Sequence, residues 1–166
     1  MLCATGSSKR LSPRTASIRT GPRQSCDQLT AAAPNLIDID LTGLELLGDA
    51  PTAQRLEHLL RLAFSSAGVN DGHVALDVVE EAAIAVLNLE HRNLDKPTDV
   101  LSFPMDGAGE SIGPRELGDI VICPPLCESV ERAVVHGALH LVGMDHETDN
   151  GEMLALEAEI LRWEQK

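Results

Sequence analysis

The chain has 166 residues, of which 43% are hydrophobic and 23% charged, and its formal net charge is −13. This composition suits a soluble globular domain, and no apolar stretch approaches the roughly 20 residues of a membrane span, so no membrane partner is expected. The strong negative charge and the scarcity of aromatic residues disfavour non-specific nucleic-acid binding, so DNA is not expected and phosphate chemistry needs a local positive centre.

Residues 1–34 differ from the rest of the chain. They are rich in Ser, Thr, Arg and Gly and contain five of the 13 basic but only one of the 26 acidic residues. We expect them to be disordered. Three explanations for the segment stay open: a start codon assigned too far upstream, a native flexible tail or an organelle transit peptide. Without a signal-peptide core, the four cysteines indicate a reduced cytoplasmic protein, or an organellar one if the segment is a transit peptide. Cys123 and Cys127 are spaced as half of a zinc knuckle, but no second pair follows.

The hydrophobic pattern of residues 35–166 predicts alternating strands and helices. In chain order these are strand 35–41, helix 51–68, strand 73–79, helix 80–92, strands 99–105 and 117–123, and helices 128–142 and 151–163. Proline near the start and glycine at the end delimit the first helix. The order β-α-β-α-β-β-α-α indicates a single α+β domain over residues 35–166, with a small mixed four-stranded sheet packed with about four helices.

Three histidines share the segment HGALHLVGMDH (136–146), with H-x₃-H-x₅-H spacing. Positions four apart lie about 40° apart around an α-helix, so His136 and His140 can direct two imidazoles at one ion. Gly143 can adopt the left-handed conformation that ends a helix, which lets the chain turn back and bring His146 round as a third ligand. The alternative is three unconnected histidines, two of them satisfied core residues.

Three neutral imidazoles leave the fourth tetrahedral position of a zinc ion open for water, which is typical of a catalytic site. They add no negative charge, so the ion can lower the pKa of its water to about 7. Zinc proteases of the metzincin type share this spacing, but Gly137 occupies the position of their catalytic glutamate. We therefore predict one zinc ion per chain and disfavour peptide hydrolysis. Gly137 either leaves space beside the metal or permits close helix packing.

Four polar residues elsewhere are weaker candidates. Arg92, at the end of a predicted helix, can grip phosphate with its planar guanidinium or act only as a helix-terminal cation. Asn88 caps that helix or ties it to the sheet, and Asp99 caps a turn or orients a ligand. Asp119, inside the strand LGDIVIC, accepts a hydrogen bond from a ligand imidazole or points outward by strand alternation.

Three blocks in order resemble the YbeY family of endoribonucleases and rRNA maturation factors. HGALHLVGMDH is similar to the family's H-G-x-L-H-L-x-G-Y-D-H motif, with Met144 in place of tyrosine. LN…R…KPTDVLSFP and LGDIVIC resemble two further blocks, and E-M-x₃-E-x₂-I-L (152–161) resembles the terminal helix. The resemblance covers residues 80–161, is weak over 35–79 and is absent from 1–34.

The resemblance implies one zinc ion held by His136, His140 and His146, with Arg92 and His136 as candidate catalytic residues. It also implies cleavage of single-stranded RNA, including precursor rRNA. The implied roles are 3′-end maturation of small-subunit (16S) rRNA and ribosome quality control, with the small ribosomal subunit or its proteins as partners.

Two features depart from the family pattern. His91 stands where an aromatic residue is common. The interval from Cys123 to His136 is shorter than usual, and we expect this shortening to affect RNA positioning or partner docking rather than zinc ligation. The nucleophile, metal-bound water or the RNA 2′-OH, stays open, and no general base is identified. Two other functions also stay open: a non-enzymatic, zinc-stabilised ribosome assembly factor, and a zinc peptidase or amidase that uses Glu147 as its base.

Overall fold

The computed structural model describes residues 35–48, 51–106 and 115–163; the extension expected at residues 1–34 lies outside them. The main elements are β1 (Leu36–Thr42), α1 (Ala53–Ser66), β2 (Asp71–Val78), α2 (Glu81–Arg92), β3 (Val100–Pro104), β4 (Glu116–Ile122), α3 (Val130–Leu141) and α4 (Glu152–Trp163). They confirm the predicted α+β class, with a mixed four-stranded sheet and four helices. In these ranges no helix is long and apolar enough to cross a membrane.

The sheet has the strand order β1-β2-β4-β3. β1 and β4 run parallel to β2, whereas β3 pairs antiparallel with β4 at one edge. Ser102 of β3 pairs in register with Ile120 of β4. Because successive side chains in a strand alternate between faces, Ser102 and Ile120 share one face of the sheet, and Asp119 and Val121 share the other.

Helices cover the two faces of the sheet unequally. The main buried cluster joins the sheet to α1, α3 and α4 through side chains such as Phe64, Leu76, Ile120, Leu139 and Ile160. A smaller cluster of Ile84, Leu101, Val121 and Cys123 places α2 against the opposite face. Each large side chain buried in this way contributes about 1.5–3 kcal/mol. The helix α3 is therefore held on several sides, which fixes the direction of the side chains on its remaining face.

The first helix begins two residues later than the sequence predicts. Its N-cap is Thr52, whose Oγ1 accepts a hydrogen bond from the backbone N–H of Arg55 at 3.3 Å. A threonine oxygen satisfies an N–H that has no partner within the helix, and the preceding Pro51 has no side-chain acceptor with which to do so. The predicted apolar face is confirmed by the burial of Leu56, Leu59, Leu60, Ala63 and Phe64.

Two 3₁₀ turns, Leu44–Leu47 and Pro124–Leu126, were not predicted. The second lies in the segment between Cys123 and His136. Adjacent prolines restrict the backbone there, and the chain passes from β4 to α3 through this one tight turn. The connection to the histidine helix is therefore compact.

Candidate metal centre

The helix α3 presents the first two histidines on one side. Ser129 caps the helix, because its Oγ accepts a hydrogen bond from the backbone N–H of Arg132 at 3.3 Å. The apolar side chains of α3 are buried, while His136 and His140, one turn apart, are only half-buried. Burial of the apolar face therefore leaves both imidazoles at the edge of the core.

The turn after α3 brings the third histidine back. Gly143 has φ 88°, the left-handed conformation that its position predicts. Its N–H bonds to the carbonyl of His140 at 3.0 Å, and the next N–H, of Met144, reaches the carbonyl of Leu139 at 3.1 Å. This helix end reverses the chain, and His146 comes to lie beside the other two imidazoles.

The three imidazoles converge on one point. One ring nitrogen from each of His136, His140 and His146 lies within 4.8 Å of the others. The ring centroids are 4.7, 5.0 and 5.3 Å apart. Zinc–imidazole nitrogen distances are about 2.0–2.1 Å, so two nitrogens on one ion lie at most about 4.2 Å apart, and small rotations of the rings would bring this group within that limit. The group can therefore hold a metal ion.

Hydrogen bonds fix the tautomers of two of these rings. Nδ1 of His140 lies 2.9 Å from the carbonyl oxygen of Met144, which can only accept, so Nδ1 carries the hydrogen. Nδ1 of His136 lies 2.8 Å from Oε2 of Glu157 and donates to that carboxylate. Burial, reinforced by the neighbouring His136, lowers the pKa of His140 below its ordinary value. In the neutral form, both rings thus direct the lone pair of Nε2 towards the shared point.

The two Nε2 atoms lie only 3.1 Å apart. Two lone pairs at this distance repel each other unless a cation lies between them or one ring takes up a proton. A zinc ion would remove the repulsion, and His136 and His140 would then be ligands through these lone pairs, as neutral imidazoles are in other zinc sites. On this ground the residues present fit a zinc ion.

Glu157 was not predicted as part of the site. It lies on α4, is 3% exposed, and accepts hydrogen bonds from His136 and from Nε of Arg132, the latter at 2.7 Å. Burial alone raises the pKa of Glu157, but the hydrogen bonds from His136 and Arg132 outweigh it and leave the pKa below its ordinary value. The sequence did contain an indication of this role: Glu157 is an acidic residue on the face of α4 that Met153 and Ile160 mark as inward.

The histidines lie in a cavity of about 560 Å³ that also contains Arg92. This cavity is lined by Arg92, Thr98, Asp99, Val100, Ser102, Pro104, Glu128, Ser129, Arg132, Ala133, His136, His140, Asp145, His146 and Glu147. Arg92 is the last residue of α2, which packs on the opposite face of the sheet from α3. Arg92 and the histidines of α3 therefore approach the cavity from different sides. Arg92, weakly indicated by its position in the sequence, is thus brought into the same cavity as all three histidines.

A buried amide holds the loop that follows Arg92. Asn88 is 1% exposed, and its Nδ2 donates a hydrogen bond to the carbonyl of Lys96 at 2.7 Å. Asn93 follows the last helical residue as the C-cap and adopts a left-handed φ of 56°. Asn88 therefore ties α2 to its own exit loop rather than to the sheet, and this loop leads to the cavity residues Thr98 and Asp99.

Gly137 faces the sheet rather than the histidine group. A Cβ added there would lie 2.8 Å from Cγ2 of Ile120 and 3.1 Å from Oγ of Ser102. The hydroxyl of Ser102 also donates to the carbonyl of Gly137 at 3.3 Å. Of the two explanations for this glycine, close packing is the one that the structure supports. A glutamate at this position has no room for its first side-chain atom.

Asp119 and the cysteine pair lie away from the histidine group. Asp119 belongs to the strand face that carries Val121 and meets α2, whereas α3 packs on the face of Ile120. Strand alternation thus explains why Asp119 points away from the histidines. The acceptors for the imidazole N–H groups are Glu157 for His136 and the carbonyl of Met144 for His140. Cys123 is buried, and the thiol of Cys127 contacts its carbonyl oxygen at 3.3 Å.

Fold and site together define a small α+β protein in which a histidine group suited to a metal shares a cavity with an arginine. Residues 47–163 match the family model described as Endoribonuclease YbeY, and the chain belongs to this family.

Two named relatives agree with this assignment. A protein named Endoribonuclease YbeY from Rubrobacter xylanophilus is 48% identical over 100 residues, which cover 57% of this chain and 70% of the relative. One of the same name from Bradyrhizobium sp. is 39% identical over 134 residues, which cover 68% of this chain and 79% of the relative. The solution structure of TM1509 from Thermotoga maritima aligns with 78% of this chain and 93% of that one, at 28% identity and a TM-score of 0.48.

Proposed function

We propose that residues 35–166 form a zinc-dependent, single-strand-specific endoribonuclease of the cytoplasm. Its proposed roles are 3′-end maturation of small-subunit (16S) rRNA and ribosome quality control, on precursor rRNA carried by the small ribosomal subunit or its proteins. The supporting observation is that Arg92 and the three histidines line one cavity. A phosphodiester is anionic, and a dication and a guanidinium in one cavity are suited to bind it.

Arg92 is the cation best placed to bind substrate phosphate. Arg132 lines the same cavity, but Glu157 and Glu128 accept hydrogen bonds from its guanidinium at 2.7 and 3.2 Å. Arg92 forms no ion pair with any residue in 35–48, 51–106 or 115–163. In our proposal Arg92 therefore binds a phosphate oxygen and neutralises charge that develops on it.

The histidines act together. In our proposal His136, His140 and His146 hold one zinc ion, which supplies Lewis acidity towards the phosphodiester. His136 also connects the centre to the protein interior through its hydrogen bond to Glu157. Ser102 joins α3 to β3 through the carbonyl of Gly137, so the edge of the sheet and the histidine helix keep a fixed separation across the cavity.

The charge of the chain favours a second candidate function. A net charge of −13 disfavours binding of free RNA, so a zinc-stabilised assembly factor that binds ribosomal proteins without cutting RNA is consistent with the same site. A zinc peptidase has less support. Glu147 lines the cavity and is available as a base, but the position used by the protease glutamate is packed against Ile120.

Cleavage by the purified protein tests the proposed function. The protein is loaded with a quantified amount of zinc and incubated with a single-stranded RNA, with the same RNA in a duplex and with casein. We expect cleavage of the single strand that is lost in His140→Ala and in Arg92→Ala. RNA cleavage that survives loss of zinc would end the proposed mechanism, and casein turnover that depends on His140 would favour the peptidase.

A cellular experiment tests the biological role. The 3′ ends of small-subunit rRNA are mapped in a strain that lacks this protein, complemented with the wild type or with His140→Ala. We expect extended ends with the variant. Normal ends with the variant would favour the assembly factor over the nuclease.

A further inference from the structure

A buried acid on α4 determines the position of two cavity residues on α3. Glu157 is 3% exposed, and its two carboxylate oxygens have different partners. Oε1 accepts from Nε of Arg132 at 2.7 Å, and Oε2 accepts from Nδ1 of His136 at 2.8 Å. Both partners line the cavity, so this one side chain holds a cation and an imidazole at the same time.

We propose that Glu157 is a positioning residue that sets the tautomer of His136. Arg132 determines which oxygen of Glu157 accepts the hydrogen bond from His136. The proposal rests on the proposed role of His136 as a metal ligand. A carboxylate has no hydrogen to donate, so Oε2 requires the hydrogen of His136 to lie on Nδ1. The lone pair of Nε2 then points at His140, 3.1 Å away, where a metal needs it. Without that acceptor, the ring populates both tautomers and turns more freely.

Arg132 makes the consequence of Glu157→Gln specific. A guanidinium only donates, so it draws the amide oxygen of the new glutamine to itself. The amide NH₂ group then faces Nδ1 of His136, and this contact is a hydrogen bond only when Nδ1 has no hydrogen. A neutral ring then carries its hydrogen on Nε2. The substitution therefore favours the tautomer that cannot bind the metal.

A second substitution is expected to reverse this effect. In Glu157→Gln with Arg132→Met, no guanidinium holds the amide oxygen, so the amide can rotate and accept from Nδ1–H. Methionine keeps much of the aliphatic volume of the arginine stem without its donors. Zinc affinity is then higher in the double variant than in the single one. If Glu157 and Arg132 contributed only to packing, the second substitution would remove further contacts and would not raise the zinc affinity above that of Glu157→Gln.

Zinc affinity of the full chain, measured by competition with a chelating dye, tests the inference without using RNA cleavage. We expect Glu157→Gln to bind zinc about 10–100-fold more weakly than the wild type. The double variant recovers most of this loss, and Arg132→Met alone stays close to wild type. The matched control is Glu159→Gln, the same change at an exposed position two residues along α4, which retains wild-type affinity.

Two results would overturn the inference: equal affinity in Glu157→Gln and the wild type, or a double variant that binds no more tightly than Glu157→Gln. A wild-type protein that binds no zinc would end both this inference and the proposed metal function. Loss of affinity without rescue contradicts the tautomer inference alone.

A measurement on the unsubstituted protein covers the case in which Glu157→Gln does not fold. Nitrogen NMR of the metal-free wild-type protein, with ¹⁵N-labelled histidine, distinguishes the two neutral tautomers. We expect the signal that is lost in His136→Ala to report hydrogen on Nδ1. Hydrogen predominantly on Nε2 would overturn the inference whatever the behaviour of the variants.

Discussion

Nε2 of His136 and Nε2 of His140 face each other at 3.1 Å, and each ring has its Nδ1 hydrogen bonded elsewhere. The repulsion of two lone pairs at this distance is relieved when a metal ion binds both nitrogens. Since the pair is assembled only in the folded chain, metal binding at this pair would be coupled to folding.

Zinc is therefore expected to stabilise the folded protein. A ligand that binds only the native state raises the free energy of unfolding by about 2.7 kcal/mol when its free concentration is 100 times its Kd. Thermal unfolding with and without a chelator measures the effect, and the midpoint temperature should fall when zinc is removed. His140→Ala should lose this zinc-dependent shift. An equal zinc response in His140→Ala and the wild type would exclude these histidines as ligands.

Arg92→Ala should separate substrate binding from metal binding. Removal of a group that stabilises charge in the transition state lowers kcat by about 100-fold or more, and Arg92 is not one of the three histidines that could hold the ion. Lysine keeps the charge but not the planar fork, so Arg92→Lys should fall between alanine and the wild type. Cleavage rates and zinc content are measured on the same samples, with Arg162→Ala on the exposed side of α4 as the control. Reduced zinc content in Arg92→Ala would contradict this division of roles.

Gly137→Ala should destabilise the protein because Ile120 lies in the way. The added methyl group meets Cγ2 of Ile120 at 2.8 Å, and overpacking of this kind costs about 1–3 kcal/mol. In an Ile120→Ala background that methyl group is gone, so the same change should cost less, because only the contact with Oγ of Ser102 at 3.1 Å opposes the preference of a helix for alanine over glycine. Urea unfolding at constant zinc gives all four free energies. The same loss in both backgrounds would show that Ile120 is not the cause.

Much of the fold and half of the site follow from local sequence rules. A helix with histidines four apart and a left-handed glycine after it specify most of the histidine geometry, because every contact lies within 11 residues of chain. The family match begins at residue 47, so it includes α1 and β2, where the resemblance of individual sequence blocks is weak. The hydrophobic pattern of the sequence predicted these two elements without that resemblance.

The remaining site residues depend on packing between distant elements. Glu157 is 21 residues from His136, and their contact exists only because α4 packs against α3. Asp119 was a candidate for the same role, but it directly precedes Ile120 in β4, and strand alternation therefore places it on the other face of the sheet. The position of Arg92 beside the cavity likewise depends on the packing of α2 against the sheet. No local periodicity encodes these three relationships.

His73 should make stability depend on pH at a place distant from the histidine group. On β2, its Nδ1 lies 2.8 Å from Oε2 of Glu116, and its Nε2 lies 3.3 Å from Oδ2 of Asp40. The hydrogen bond to Glu116 is the main cause that raises the pKa of His73 above its ordinary value of 6.5; burial opposes it and Asp40 adds to it. A raised pKa in the folded state means that folding favours the protonated ring.

The contribution of His73 is therefore fully present below pH 6.5 and is lost as the pH rises through the folded-state pKa. Urea unfolding of the wild type and His73→Gln across this range measures it, because the other ionisable groups cancel in the difference. The difference should be largest on the acid side and shrink on the alkaline side. With Glu116→Gln in both proteins the difference should become much less dependent on pH, since the main partner of the protonated ring is then uncharged. A difference that grows as the pH rises would show that folding favours neutral His73.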